Sequence, residues 1–182
     1  FQFYSETELN MDYRDIINGV ENITVKIEVS KGHNTNWYKV GDDNQYTSYI
    51  TSISASQVHQ IYTKHRTKLF NLNIRQHLGD NKTNKEIKNT VEEEPEHFFF
   101  YNNGLSAVAS EIIEKEASLE CKNFSIINGA QTFRSISKGY AKGISISKDV
   151  KNCSVMLRVT KIPNLFKKDG FLDNVTRFNN TQ

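Results

Sequence analysis

The hydrophobic period of the chain switches within residues 124–136, FSIINGAQTFRSI. A continuous apolar run stops at Asn128-Gly129, and from Ala130 onward Phe133, Ile136 and Tyr140 recur on one helical face. A short apolar run followed by a 3.6-residue period is a strand running directly into a helix. Such a bend leaves the first helical amides without backbone partners at the carboxyl end of the strand. These amides and the helix dipole favour an anion, commonly a phosphate. An Asn N-cap followed by a Gly turn, with no ligand, accounts for the same residues.

The rest of the chain alternates between the two periods. NITVKIEVS sets Ile23, Val25, Ile27 and Val29 against polar partners, the pattern of a half-buried strand. WYKV and YTSYITSI read as strands joined through the turn GDDN. A helix is expected from Ser54, with Val58, Ile61, Tyr62, His65 and Leu69 on one face. NIRQHLGD reads as a short helix closed by Gly79. Thr83 and Glu86 form a capping box for a helix that Pro95 ends, with Ile87 and Val91 facing the core. The run Glu92, Glu93 and Glu94 is expected to be solvated, since successive helical side chains point in different directions. HFFFYNNGLSAVASEIIE reads as strand, turn, strand, because Asn103-Gly104 suits a type I′ hairpin. SLECKNFSII is a further strand, and CSVMLRVTKI a central one. DGFLDNVTRFNNTQ starts a last helix, with Phe171, Val175 and Phe178 at helical spacing. Strands and helices interleave without regular βαβ spacing, so the fold class is α+β, a mixed β-sheet packed with helices. Residues 1–53 form a strand-rich N-terminal segment and residues 54–182 the core.

Composition narrows the classes of function. Across 182 residues there are 11 Phe, 8 Tyr and one Trp, enough aromatic material for a core. The net charge of +2 is too small to identify a nucleic-acid partner. No apolar window reaches 18 residues, and the N-terminal FQFYSETELNMDYRD is acidic and lacks a signal-peptide core. No membrane association is expected. Cys121 and Cys153 have no metal-ligand spacing, which suits free thiols in a reducing cytoplasm. A chain that starts at Phe1 and stops at Gln182 within a helical pattern is expected to be a fragment that lacks a C-terminal part.

Three amide-rich motifs follow apolar runs, and each is a candidate site. They are YNNG with Asn102, Asn103 and Gly104; INGAQTFR with Asn128, Gly129, Gln131, Thr132 and Arg134; and RFNNTQ with Asn179, Asn180 and Gln182. Side-chain amides both donate and accept, so they can read the edges of a base or sugar. Gly129 permits close approach of backbone to a ligand. Arg75 and Arg134 are candidate phosphate partners. There is no phosphate loop of the G-x-x-x-x-G-K-[ST] type. Glu120-Cys121-Lys122, with Glu111 or Glu114 upstream, is the E-x-K pattern that can hold Mg²⁺ in a nuclease, although chance produces it often. The histidines lack ligand spacing, so no other metal site is expected.

The succession of these motifs resembles the AIPR family, the abortive infection phage resistance proteins of bacteria. Members carry L-F-x-x-N-V-R-x-x-L-G, matched here by residues 69–79, then N-x-x-I-x-x-T at residues 84–90 and P-x-x-F at 95–98. The counterpart of F-x-Y-x-N-N-G-I follows at residues 99–105, FFYNNGL, one residue shorter, then I-V-N-G-x-Q-T at 126–132 and a closing T-N-x-Q at 179–182. Ile74 and Leu105 replace the usual Val and Ile, and Asn180-Thr181 stands where one small residue is usual. The resemblance covers residues 46–182 and implies a role in phage defence. A weaker likeness links INGAQT to the D-G-Q-Q-R motif of ParB/sulfiredoxin-like domains, which implies such a core and a nucleotide-phosphate site. Asn128 stands for the acid of that motif and Thr132 for its arginine, changes that weaken hydrolysis but spare binding.

The leading expectation is a phage-defence protein whose core binds a nucleotide or nucleic acid. A Mg²⁺-dependent nuclease using Glu120 and Lys122 is one alternative. A non-catalytic scaffold for a protein partner or a homo-oligomer is the other.

Overall fold

The computed structural model describes residues 23–28, 37–42, 45–73, 82–143, 148–163, 165 and 170–180, with backbone alone at 82–84, 143, 148–149 and 180. Among these residues the fold is α+β, with five α-helices, a five-stranded mixed sheet and a three-stranded antiparallel sheet. Residues 74–80 of the expected helix over NIRQHLGD, including Arg75, lie outside the described residues, as do Val29, Thr181 and Gln182.

The small sheet has the order β1 (Thr24–Glu28), β6 (Ser118–Lys122), β5 (Glu111–Lys115). The large sheet has the order β2 (Tyr38–Gly41), β3 (Thr47–Ser54), β8 (Ser154–Lys161), β4 (Leu105–Ala109), β7 (Ser125–Asn128). In the large sheet β4 and β8 run parallel and the other pairs antiparallel. The apolar β8 is central, as its composition predicts. Strands from before residue 54 pair with later ones, β1 with β6 and β3 with β8.

The chain leaves the large sheet after β4 and returns at β7. SLECKNFSII is therefore two strands of different sheets, not one. Asn123 turns the corner with φ +53, a left-handed conformation that Asn tolerates better than most residues. The two crossing points are tied together: Asn123 Nδ2 donates to Ser110 Oγ at 2.8 Å, and Ser110 N to the Lys122 carbonyl at 2.9 Å.

Helices α1 (Ala55–His65), α2 (Lys82–Glu93) and α4 (Ala130–Gly143) pack together, and Val58, Val91, Phe133 and Ile136 join the main core. Ser54 caps α1 by accepting from Gln57 N at 3.3 Å. The helix stops at His65, before Leu69, because Arg66 has φ +53, and a 3-10 segment continues to Phe70. α2 begins at Lys82, so Thr83 lies inside its first turn and not at the N-cap position. The Glu92 carboxylate is largely buried and meets Lys142 at 2.7 Å and Lys88 at 3.7 Å, so that member of the acidic run is not a solvated charge.

Residues 98–101 are not a strand but a helical turn, α3 (Phe98–Tyr101), following a 3-10 segment that begins at Pro95. Asn103 lacks the positive φ that a type I′ turn requires, and Gly104 alone of the pair has one, +90. The segment joins a helix to β4. The last helix, α5 (Phe171–Asn180), buries Leu172 and Thr176 and leaves Phe178 exposed. It covers a second apolar cluster of Val108, Ile127, Ile162 and Leu165, with the Phe171 ring stacked on Tyr46 at 3.6 Å. Alternation along β4 and β7 sends Ala107 and Ile126 into the main core and Val108 and Ile127 into this one.

Cys121 and Cys153 are buried and unbridged, and burial pushes both thiols up to about 12. Among the described residues no helix is long and apolar enough to cross a membrane.

Candidate functional site

The bend after β7 forms one wall of a cleft of about 790 Å³. Phe133 N donates to the Gly129 carbonyl at 2.8 Å, the first bond of α4, so Gly129 and not Asn128 is the capping residue. Gly129 has φ +84, and a Cβ there would lie 2.8 Å from Leu105 Cδ2 and 3.2 Å from the Gly104 carbonyl oxygen. The close approach that Gly129 permits is thus to the neighbouring loop. Gly104 is tighter still: a Cβ would stand 2.8 Å from the Met156 carbonyl oxygen on β8. The two glycines let both motif loops press onto the sheet.

Asn128 ends β7 beside a bulge, because Ser106 pairs with Asn128 while Ala107 pairs with Ile126. Its side-chain amide donates to the Asn179 carbonyl at the end of α5. Asn179 accepts from Ser106 Oγ at 3.1 Å through Oδ1 and donates to the Val175 carbonyl at 2.7 Å. Asn102 Nδ2 donates back to the Phe98 carbonyl at 3.2 Å and closes α3. Several motif amides are therefore partly engaged with the protein that builds the cleft. Asn103 is exposed at its edge.

The cleft brings together Asn102, Asn103, Gly104, Asn128, Gly129, Thr132 and Asn179 from all three motifs. Gln131 and Arg134 do not line it. Arg134 follows Thr132 by two residues, about 200° around the helix. Its guanidinium instead lies 4.5 Å from the centre of the Phe70 ring, with a buried Nε that lacks a hydrogen-bond partner. Arg75, Gln182 and the side chain of Asn180 lie outside the described residues.

The remaining lining residues were not among the sequence candidates. Glu86, Ile87 and Thr90 come from α2, Tyr101 from α3, Ser106 from β4, and Met156 and Arg158 from β8. Along β8, Val155, Leu157 and Val159 enter the core, so Met156 and Arg158 share the opposite face. No carboxylate of the described residues forms an ion pair with Arg158. A single arginine within an apolar central strand was the available signal.

The E-x-K residues lie elsewhere, on the outer face of the small sheet. Glu120 pairs with Lys115, which lowers its pKa, and Lys122 pairs with Glu111 at 2.7 Å, which raises its own. Glu114 turns to the other side of β5, accepting from Lys39 Nζ at 2.7 Å and the Tyr49 hydroxyl at 2.9 Å. Among the described residues no three His, Cys, Asp or Glu side chains are grouped to hold a metal ion.

Comparison with curated proteins and with solved structures gave no match. A family model, AIPR protein, matches residues 70–182, which takes in all three amide motifs and every residue of the cleft. This match spans well over half of the chain, and the protein belongs to the AIPR family, the proteins of abortive-infection phage resistance.

Proposed function

We propose that this AIPR chain contributes to phage resistance by binding a phosphate-bearing ligand, a nucleotide or nucleic acid, in the amide-lined cleft. One observation carries the reading: Arg158 lines the cleft without an acidic partner among the described residues. An arginine fork matches the oxygens of a phosphate, and such charge-assisted bonds are stronger than neutral ones. The amino end of α4, capped by Gly129, lines the same cleft and favours negative charge. The volume of about 790 Å³ falls in the range of small-molecule and cofactor clefts. Asn103 and Thr132 supply polar groups for a base or sugar, and the phosphate belongs on the Arg158 side.

Calorimetric titration of the chain with the four ribonucleoside triphosphates and with short RNA and DNA, at two salt concentrations, tests the reading. Arg158→Ala is expected to weaken binding by about 10- to 100-fold, the worth of a hydrogen bond to a charged group. Absence of binding to every probe, or equal binding by Arg158→Ala, refutes it.

A further inference from the structure

Taking that reading as its base, we infer that the ligand is a single-stranded nucleic acid, with one nucleotide in the cleft and its neighbour stacked on Phe100. Four consecutive aromatic residues occupy one helical turn, Phe98–Tyr101. Successive helical side chains point about 100° apart, so one turn cannot bury all four. Phe98 is the anchor, fully buried in the core. Phe99, Phe100 and Tyr101 remain 41%, 79% and 62% exposed. An exposed apolar cluster of this kind marks an interaction surface.

The rings are held although they are exposed. Phe99 and Phe100 meet edge-on, centroids 6.0 Å apart at 83°. Tyr101 packs against His97 at 5.7 Å, and its hydroxyl donates to Glu94 at 3.4 Å. Asn102 ties off the turn through the Phe98 carbonyl. Each of these contacts restricts a ring before a partner arrives, which lowers the cost of binding.

The occupant follows from what adjoins the platform. Tyr101 itself lines the cleft that holds Arg158, so the aromatic surface is continuous with a phosphate-binding arginine. Every nucleobase has a π-face, and base stacking on aromatic side chains is how single strands are held without sequence readout. A mononucleotide in the cleft leaves Phe100, which does not line it, exposed. A strand covers both. Charge also sets the path of the strand. The Glu94 carboxylate at the Tyr101 hydroxyl repels phosphate, so the sugar-phosphate backbone runs on the Arg158 side. Among the described lining residues of the cleft Arg158 is the one cation, so few phosphates are neutralised and a shallow salt dependence is expected.

The test compares a fluorescein-labelled oligoribonucleotide of about 12 nucleotides, within the usual range of single-strand sites, with AMP and UMP, for the unmodified chain and Phe100→Ala. The oligonucleotide should bind the unmodified chain more tightly than either mononucleotide. Phe100→Ala should weaken oligonucleotide binding by roughly 5- to 100-fold, the worth of one stacked base, and leave the mononucleotide affinities unchanged. Because Phe100 is largely exposed, a circular dichroism melt should match the parent. Mononucleotide binding with no oligonucleotide advantage overturns this inference and leaves the binding function standing. No binding of any probe overturns both. Unaltered oligonucleotide binding by Phe100→Ala, with loss of a self-associated species in sedimentation, assigns the platform to a second copy of the chain and also overturns it.

Discussion

Gly104→Ala probes whether the YNNG loop is shaped by contact with the central strand. Gly104 has φ +90, and its added Cβ would lie 2.8 Å from the Met156 carbonyl oxygen, 2.9 Å from Met156 Cε and 3.0 Å from Met156 Cβ. The carbonyl belongs to β8, which is paired on both sides and cannot move away cheaply. The left-handed conformation costs about 1–2 kcal/mol for a residue with a Cβ, and overpacking costs about 1–3 kcal/mol. Lower entropy of the unfolded chain returns about 0.4–1 kcal/mol. The net loss is about 1–5 kcal/mol, or a fall in Tm of about 2–18 °C at this chain length. Two other glycines calibrate the result. At Gly129, φ +84, the nearest obstacle is the end of the Leu105 side chain, which can shift. At Gly170, φ +75, a Cβ meets nothing within 4 Å, so the conformational cost stands alone at about 1 kcal/mol. Thermal and urea melts should rank the alanine variants Gly170, Gly129, Gly104 in order of increasing damage. A Gly104→Ala melt as mild as that of Gly170→Ala would refute the packing argument.

Asn128→Ala removes the donor to the Asn179 carbonyl and should cost about 1–2 kcal/mol. Hydrogen exchange should quicken in α5 more than in α1, and uniform quickening would contradict the local role. If phage resistance in a plaque assay falls no further than this stability loss explains, the scaffold reading of the asparagines gains over ligand binding. Tyr49 gives an alkaline signature, because burial, then its bond to Glu114, pushes the phenol up to about 12 from 10.0. An unfolded chain releases that proton near 10 and the folded chain near 12. The stabilisation is therefore complete below pH 10 and is lost as pH rises toward 12, by at most about 3 kcal/mol. Urea melts across that window should fall less steeply for Tyr49→Phe than for the parent, and equal slopes would count against a protonated buried phenol.

Legibility differed between local and non-local features. β1 and α4 were readable because one face of each is buried, which imprints its period on the sequence, and β8 because its run is apolar. The split of SLECKNFSII between two sheets was not, since it depends on pairing with β1 and β4, distant in the chain. The aromatic run before Asn102 has strong strand propensity, yet Pro95 and the buried Phe98 ring hold it in a helical turn. At the cleft, the amide motifs were legible as motifs, and seven of their residues meet there. Arg158 was hidden by the apolar run around it. The exclusion of Arg134 was available from helical geometry, because a side chain two residues after Thr132 faces another wall.

The bonds of Asn179 reach back 73 residues to Ser106 and 51 to Asn128. A ribosome adding about 5–20 residues per second therefore releases the loops, β4 and the start of α4 seconds before it releases α5. Over that interval the growing chain has a trough with one side missing, and Asn128 has yet to meet its carbonyl. The cleft gains the wall that Asn179 supplies only after the sheet beneath it has been laid down.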